Sequence, residues 1–310
     1  MDQGNMSLHL KAKDYLHHSS NKEYTIYKCP KCFMEQILPQ PSQKEIISFY
    51  PKDYYAFHVK KAKQKSFFLI LREKIVENSY NKNSTKNLLY FLAQLLKSLL
   101  PGLPLQYVGK KRFLDIGCGD GYSLDLLSKY GWKSTGFELG PPSRKGNIYY
   151  GTSISDVDFK NEKFDFIRVW HVLEHVPNPD DYFKKLSSLL ADGGRLVIGV
   201  PNANSLNAKV FGKFWYNRDI PRHLINYNPH NLNILVRKYH FEIKKLEYNQ
   251  FGGLLDSILR VLYVKFHISL NTSGKTKFLL VFLSYPFDYL CNRLKIGDLF
   301  YIEIVRKNNS

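Results

Sequence analysis

The sequence predicts an α/β protein with a seven-stranded, mostly parallel sheet, an antiparallel last strand, helices on both faces and a small N-terminal cysteine-containing appendage. Three observations predict it. Beyond residue 110, short β-type runs alternate with helix-spaced ones. The apolar run "RFLDIG" enters the glycines of "CGDG" and then the helix-spaced "YSLDLLSKYG". The final β run, "FYIEIVRK", follows "GD" and lies far from any crossover helix, which suits an antiparallel strand.

In chain order, residues 1–59 are polar, contain "CPKC" and end in "FYPKDYYAFH", and they read as ordered loop more than repeated elements. Residues 60–110 form a helical segment, because "FFLILREKIV" and "LLYFLAQLLKSLL" carry apolar residues at helical spacing and "PGLP" stops them. Residues 111–310 form the main domain. Strands are expected at 112–117, 133–138, 147–150, 164–170, 194–200, 241–248 and 300–306, and the clearest helices at 121–130 and 180–190. A helical insertion occupies about 249–298, where Leu254, Ile258, Leu262 and Phe266 share one face and Asp256 and Arg260 another.

The 310 residues and 44% apolar content suit a globular chain. No segment near the amino terminus has the form of an export signal, and the four cysteines form no spaced disulfide framework, so a cytoplasmic protein is expected. The net charge of +18 favours anionic partners, although lysine pairs such as Lys60-Lys61 and Lys244-Lys245 are scattered over the chain. A solvated basic surface fits them better than a polyanion track.

A glycine-rich turn from strand to helix sits at the carboxyl edge of a sheet, where open α/β proteins bind ligands. Gly117, Gly119 and Gly121 let the main chain bend and approach a nucleoside closely. The order is D-x-G-x-G-x-G, with Asp115 leading. A dinucleotide fingerprint would need glycine where Tyr122 stands, and no Gly-Lys-Ser/Thr follows for a Walker loop. Glu138 ends the next strand, placed to accept two ribose hydroxyls.

The strings "LDIGCGDGYSLDLL", "GFELG", "KFDFIRVWHVLEHVPNPDDYFKKLSSLLADGGRLVIGVPNANSL" and "DIPRHLINYNPHNL" cover most of residues 112–245, and on them the chain resembles the class I S-adenosylmethionine-dependent methyltransferases, whose sheet is Rossmann-like. The resemblance implies S-adenosyl-L-methionine cradled by Gly117, Cys118, Gly119 and Gly121, with Asp115 near its amino group and Glu138 on its ribose. It also implies that the region of Thr152 and Ser153 approaches the adenine. His171 is placed against the cofactor.

His171, Glu174 and His175 stand at i, i+3 and i+4 and share a face if that stretch is helical, a set able to act as a base or bind a divalent ion. Quinone-pathway O-methyltransferases similar to this chain carry E-x-x-E-H here with an associated divalent ion; His171 replaces the first glutamate. A structural Glu174–His175 pair is the alternative. In "WYNRDIPRHL", Arg222 is a candidate partner for an acidic acceptor group or for Glu174, and His223 a candidate base; a buried ion pair locking a lid is the competing reading. Cys29 and Cys32 are half of a zinc site, and His9, His17 or His18 would have to complete it. By resemblance to relatives with an upstream cysteine pair the appendage is zinc-ribbon-like, and a degenerate ribbon without metal is the competing reading.

The expectation is therefore a methyltransferase acting at oxygen on a small molecule or saccharide precursor. A quinone or prenylated-phenol acceptor is the alternative, and a scaffold without catalysis a further one. RNA modification has little support without an RNA-binding module. The basic charge and the apolar insertion together suggest peripheral contact with the inner face of a membrane.

Overall fold

The computed structural model describes residues 6–17, 19–49, 67–80, 102–103, 109–140, 143–250, 252–270 and 274–307. Its N-terminal part is an antiparallel meander of β1 (Ser7–Ala12), β2 (Tyr24–Lys28) and β3 (Glu35–Ile37). Within "YTIYK" the side chains alternate, so Tyr24 and Ile26 turn inward onto Ala12, Ile37 and Phe49. This corrects the expectation of loop over the appendage: the period-two pattern is present but only five residues long. Between β2 and β3, the Cys29–Cys32 turn closes through Phe33 N–H donating to Cys29 O (2.9 Å) and Cys29 N–H donating to Met34 O (2.9 Å). The short helix α1 (Gln43–Ser48) follows. Helix α2 (Phe67–Tyr80) is the first of the two expected helices; the second, at "LLYFLAQLLKSLL", lies outside the described residues.

The main domain runs β4 (Arg112–Ile116), α3 (Tyr122–Ser128), β5 (Lys133–Leu139), β6 (Ser143–Lys145), β7 (Ile148–Gly151), β8 (Phe164–Trp170), α4 (Pro179–Leu189) and β9 (Leu190–Pro201). It continues with α5 (Leu206–Phe211), β10 (Ile225–Asn226), α6 (Pro229–Lys238), β11 (Phe241–Tyr248), α7 (Gly253–Phe266), α8 (Gly274–Arg293) and β12 (Leu299–Arg306). The large sheet has the order β11-β12-β9-β8-β4-β5-β7-β6. β4 pairs in parallel with β5 and β8, β5 with β7 and β8 with β9, whereas β12 is antiparallel to both β9 and β11. All seven expected strands are present. The eighth, β6, is an exposed hairpin partner of β7 with no apolar alternation to betray it.

Alternation along β4 divides the core. Leu114 and Ile116 join Ile167, Val169, Phe183 and Leu232 on one face, while Phe113 joins Leu124, Trp132 and Phe166 on the other, with Ile75 and Val76 of α2 beside them. The chain order reverses between β5 and β8 on either side of β4, which opens a crevice at their carboxyl ends.

The appendage is joined to the main domain at this same edge. β10 pairs with β3, Ile225 opposite Gln36 and Asn226 opposite Glu35, so a segment that follows β9 completes the appendage's sheet. The insertion between β11 and β12 is helical as expected, but it packs the other way round. Ser257 and Arg260 of α7 are buried, whereas Ile258 and Phe266 are exposed.

Candidate functional site

β4 delivers the chain into a loop where Gly117, Gly119 and Gly121 adopt φ of +78°, +56° and +82°. Only glycine takes this left-handed backbone without strain. A Cβ at Gly117 would come within 2.4 Å of Val172 Cγ2, so the loop lies against the segment that follows β8. One at Gly119 would meet no protein atom within 4 Å, which marks the loop's open side. Cys118 tucks its side chain beneath the loop, where burial pushes the thiol up and its Sγ blocks any Cβ on Gly136.

Glu138 faces the loop from the tip of β5. Its Oε2 accepts from Gly119 N–H (2.7 Å) and its Oε1 from Leu139 N–H (2.9 Å). Burial raises its pKa against the pull of those two donors. Asp115 is fully buried and stands in register with Arg168 one strand away, whose Nη1 donates to both carboxylate oxygens (3.3 and 3.1 Å). Burial pushes Asp115 up and Arg168 opposes it. Asp115 thus sits under the loop and is held by protein.

Beyond β7, Ser153 caps a 3-10 turn over Ile154–Asp156 through a reciprocal box. Asp156 Oδ2 accepts from Thr152 N–H (3.0 Å), Thr152 Oγ1 (2.7 Å) and Ser153 N–H (2.7 Å).

Behind β8, His171 takes a positive φ of 53° and its Nδ1 lies 3.1 Å from Glu174 Oε1. Glu174 is buried. Burial alone would raise its carboxyl, but the His171 hydrogen bond and the fields of His171, His223 and His175 hold it at about 2. His175 Nδ1 lies 2.9 Å from Arg222 O, and its ring meets His223 edge to face at 4.7 Å. His223 Nδ1 lies 2.8 Å from Asn217 O, an acceptor that requires the proton on Nδ1. Nε2 then carries the lone pair, 3.9 Å from both Glu174 Oε1 and Asp219 Oδ2. Burial and the nearby His175 depress His223 to about 4, against Asp219 and Glu174, so the imidazole is neutral near pH 7.

A model described as "methyltransferase domain" matches residues 84–246, more than half of the chain. The chain belongs to this methyltransferase family. Ubiquinone biosynthesis O-methyltransferase of Coxiella burnetii (strain RSA 493 / Nine Mile phase I) is 30% identical over 105 residues, 30% of this chain and 45% of that protein. The enzyme of the same name from Cereibacter sphaeroides (strain ATCC 17025) is 29% identical over 152 residues, 44% of this chain and 61% of that protein. The chain thus spans about half the length of these curated relatives. Among solved structures, an S-adenosylmethionine-dependent methyltransferase from Archaeoglobus fulgidus is 21% identical with a TM-score of 0.43, over 78% of this chain and all of that one. A possible histamine N-methyltransferase from Thermotoga maritima is 19% identical with a TM-score of 0.43, over 77% and 99%.

Family membership implies S-adenosylmethionine as methyl donor, and the loop's residues fit it. The open face of Gly119 admits a ligand where any side chain would stand, and each Glu138 oxygen retains a lone pair beyond its one backbone bond. The geometry draws His171, Glu174, His175 and His223 together; Arg222 meets His175 through its carbonyl oxygen and turns its guanidinium elsewhere. Arg222 is 1% exposed; its Nε donates to Asp219, Nη1 to Asp14, Ser19 Oγ and Phe49 O, and Nη2 to Asp14 and Asp219. It is a buried lock between the segment that follows β9 and the appendage, not a charge presented to an acceptor.

Sequence reading missed Arg168, Asp14 and Asp156 in this methyltransferase. Arg168 had a signal, as the one cation in the otherwise mostly apolar "FDFIRVW", and Asp156 closes an S-x-x-D capping pattern. Asp14 had none. Among the described residues, Glu174, His175 and His223 are the set that brings three ligand atoms within 4.8 Å of one another, so His223 takes the place expected of His171. Cys29 and Cys32 are not part of such a set; His9 Nε2 lies 3.1 Å from Glu35, and His18 lies outside the described residues. A cavity of about 310 Å³ opens near the carboxyl ends of β9 and β11, lined by Phe33, Asn202, Asn204, His230, Tyr248 and Lys295 among others.

Proposed function

We propose that the chain transfers a methyl group from S-adenosylmethionine to an oxygen of a small molecule or saccharide precursor. The observation that carries this reading is His223: a buried, neutral imidazole whose proton is pinned to Asn217 O and whose Nε2 faces Glu174. The sulfonium supplies an electrophilic methyl, so the chain has to align an oxygen with it and take the oxygen's proton.

In this reading the glycine loop holds the methionine end, Glu138 accepts the two ribose hydroxyls, and the turn capped by Ser153 and Asp156 borders the adenine. Asp115 acts through Arg168, keeping β4 and β8 in register beneath the loop. His223 Nε2 receives the acceptor's proton, and the carboxylates of Glu174 and Asp219, each 3.9 Å away, favour the imidazolium that forms. His171 orients Glu174.

The cavity supports a hydroxylated acceptor. Asn202 follows β9, two strands from β4, which at ~4.8 Å per strand is about 10 Å from the loop. Exposed Asn204, His230 and Lys295 offer hydrogen bonds to hydroxyls or to an anionic group, and Tyr248 and Phe33 offer faces on which a sugar ring can lie.

Methyl-labelled S-adenosylmethionine and cell extract separated into lipid, glycan and nucleic-acid pools test the reading. The glycan pool should take up label with the native protein. With His223→Ala, labelling should fall about a hundredfold or more while cofactor affinity is unchanged. Label in the nucleic-acid pool, or undiminished labelling by His223→Ala, would refute it.

A second reading, a quinone or prenylated-phenol acceptor, draws on the names of the curated relatives and on Glu174, His175 and His223. Glu174 Oε2 is buried and has no hydrogen-bond partner, so this trio suits a divalent ion, which would lower a phenol's pKa. Label confined to the lipid pool and abolished by a chelator would favour it.

A further inference from the structure

The two helices between β11 and β12 bury charged side chains and expose large apolar ones, although α8 also buries Val281 and Cys291. On α8, Leu279, Leu283 and Leu290 are 55%, 65% and 54% exposed, at spacings of four and seven that place them on one stripe, and Leu294, 59% exposed, follows directly after the helix. The opposite face buries Asp288, whose carboxylate accepts from Gln250 Nε2 (2.5 Å) and Gly252 N–H (2.6 Å). On the neighbouring α7, Ile258 and Phe266 are exposed, while Arg260 is buried, donates to Trp215 O (3.0 Å) and covers the Tyr216 ring.

A buried charge is costly unless it is bonded, and both of these charges are bonded to the domain. The polar contacts therefore fix the orientation of α7 and α8, and the leucine stripe is presented outward by construction. Contiguous apolar surface of this kind marks a contact site.

We propose that this face docks on an anionic lipid bilayer, with α7 and α8 lying in the headgroup plane. Charge complementarity selects that occupant. Lys213 and Lys265 both stand over the Phe214 ring at 5.4 Å beside the end of α7, and exposed Arg293 and Lys295 flank Leu294 at the far end of the stripe. The whole chain carries +18. Among the described residues no helix is long and apolar enough to cross a membrane, so the contact is interfacial. The stripe ends at Leu294, beside Lys295 of the cavity, and docking would hold the cavity's mouth at the lipid surface. An acceptor whose polar group is carried on a lipid would then reach it without leaving the bilayer. The docking itself does not depend on the methyl-transfer reading.

The test is co-sedimentation of the full chain with vesicles of phosphatidylcholine alone or mixed with phosphatidylglycerol in equal parts. Binding to the mixed vesicles that weakens with added salt is expected, with little binding to phosphatidylcholine alone. Leu283→Asp/Leu290→Asp should weaken it about tenfold or more. That variant should keep its affinity for S-adenosylmethionine, which shows that it is folded. Lys213→Glu/Lys265→Glu, which leaves the stripe intact, should weaken binding and flatten its salt dependence. Absence of vesicle binding by the native chain overturns the proposal, as does an aspartate variant that binds as well as the native chain. If the native chain ignores vesicles but is a dimer that the aspartate variant turns into monomers, the face belongs to a second copy. If it ignores vesicles and the aspartate variant melts well below it as a monomer, the stripe is covered by the chain itself.

Discussion

Around Gly117–Gly121 the carboxyl edge of the sheet is shaped by contiguous backbone, and its side-chain partner, Glu138, follows 19 residues after Gly119. Around Arg222 the same edge is held by a guanidinium whose partner Asp14 is 208 residues away. The two regions fail differently. The loop depends on dihedral angles that one β-carbon disturbs, and it stores little of the fold's stability. The lock depends on three charges with little access to water, Arg222 between Asp14 and Asp219, so losing the cation strands both carboxylates. Its partners hold Asp14 well below the usual carboxylate range, as burial's upward push is outweighed by hydrogen bonds from Arg222 and Ser19.

The sharpest way to break this contrast is Arg222→Ala. Removing one partner of a buried pair costs roughly 3–5 kcal/mol, and chemical denaturation should show a loss of that size. Asp14→Asn/Arg222→Met, which removes Arg222 together with one of its two carboxylate partners and leaves Asp219 in place, should recover part of it. Cofactor affinity measured on the folded fraction should stay near native. If affinity falls in step with stability, seat and lock are one unit.

Acid probes the surroundings of this lock without a mutation. His223 is depressed from 6.5 to about 4 by burial first and then by His175, against Asp219 and Glu174. The unfolded chain binds this proton more readily, so the stability is fully present above pH 6.5 and is lost as pH falls towards 4. The shift corresponds to about 3 kcal/mol. His17, also lowered, adds to the same window. Glu174 and Glu35, each held at about 2, contribute losses only below pH 4.5. Asp298, pushed up to about 6 by burial, works in the opposite direction over this window, so the His223 contribution is read as a difference. The melting curves of the native chain and of His223→Gln should converge as pH falls from 6.5 to 4, and parallel curves would place the titration elsewhere.

The loop responds on a smaller scale. Gly119→Ala adds a left-handed strain of about 1–2 kcal/mol and no collision with protein, so the fold should lose about that much. S-adenosylmethionine affinity, measured calorimetrically, should fall at least as steeply. Gly117→Ala drives its β-carbon into Val172 and should destabilise more. Equal effects at the two positions would mean that the open side of Gly119 is not the ligand's side.

The same contrast explains what was legible in the sequence. Strands β4, β5 and β8, the three glycines and Glu138 are local features, set by alternation, dihedral demand and strand length, and each can be read within a dozen residues. The roles of Arg222 and His223 were readable only as alternatives, because their partners Asp14 and Glu174 come from segments that topology brings together. Helices α7 and α8 show a third case. Periodicity locates a helix and its apolar stripe, but buried Arg260 and Asp288 decide which side faces the sheet, and their partners Trp215 and Gln250 lie outside the helices.

The turn after β7 lies between these extremes, since its acid was missed although its bonds are local. Ser153 Oγ accepts from Ser155 N–H (3.2 Å), and because the turn is exposed, Ser153→Ala should cost only about 0.5–1 kcal/mol. Asp156→Ala removes three accepted bonds and should cost more. If this turn borders the adenine, both substitutions should also weaken S-adenosylmethionine binding, Asp156→Ala the more, whereas methionine-end analogues lacking the base should bind the variants as they bind the native chain. Equal losses for both kinds of ligand would move the adenine away from this turn and leave the capping box a purely structural clasp.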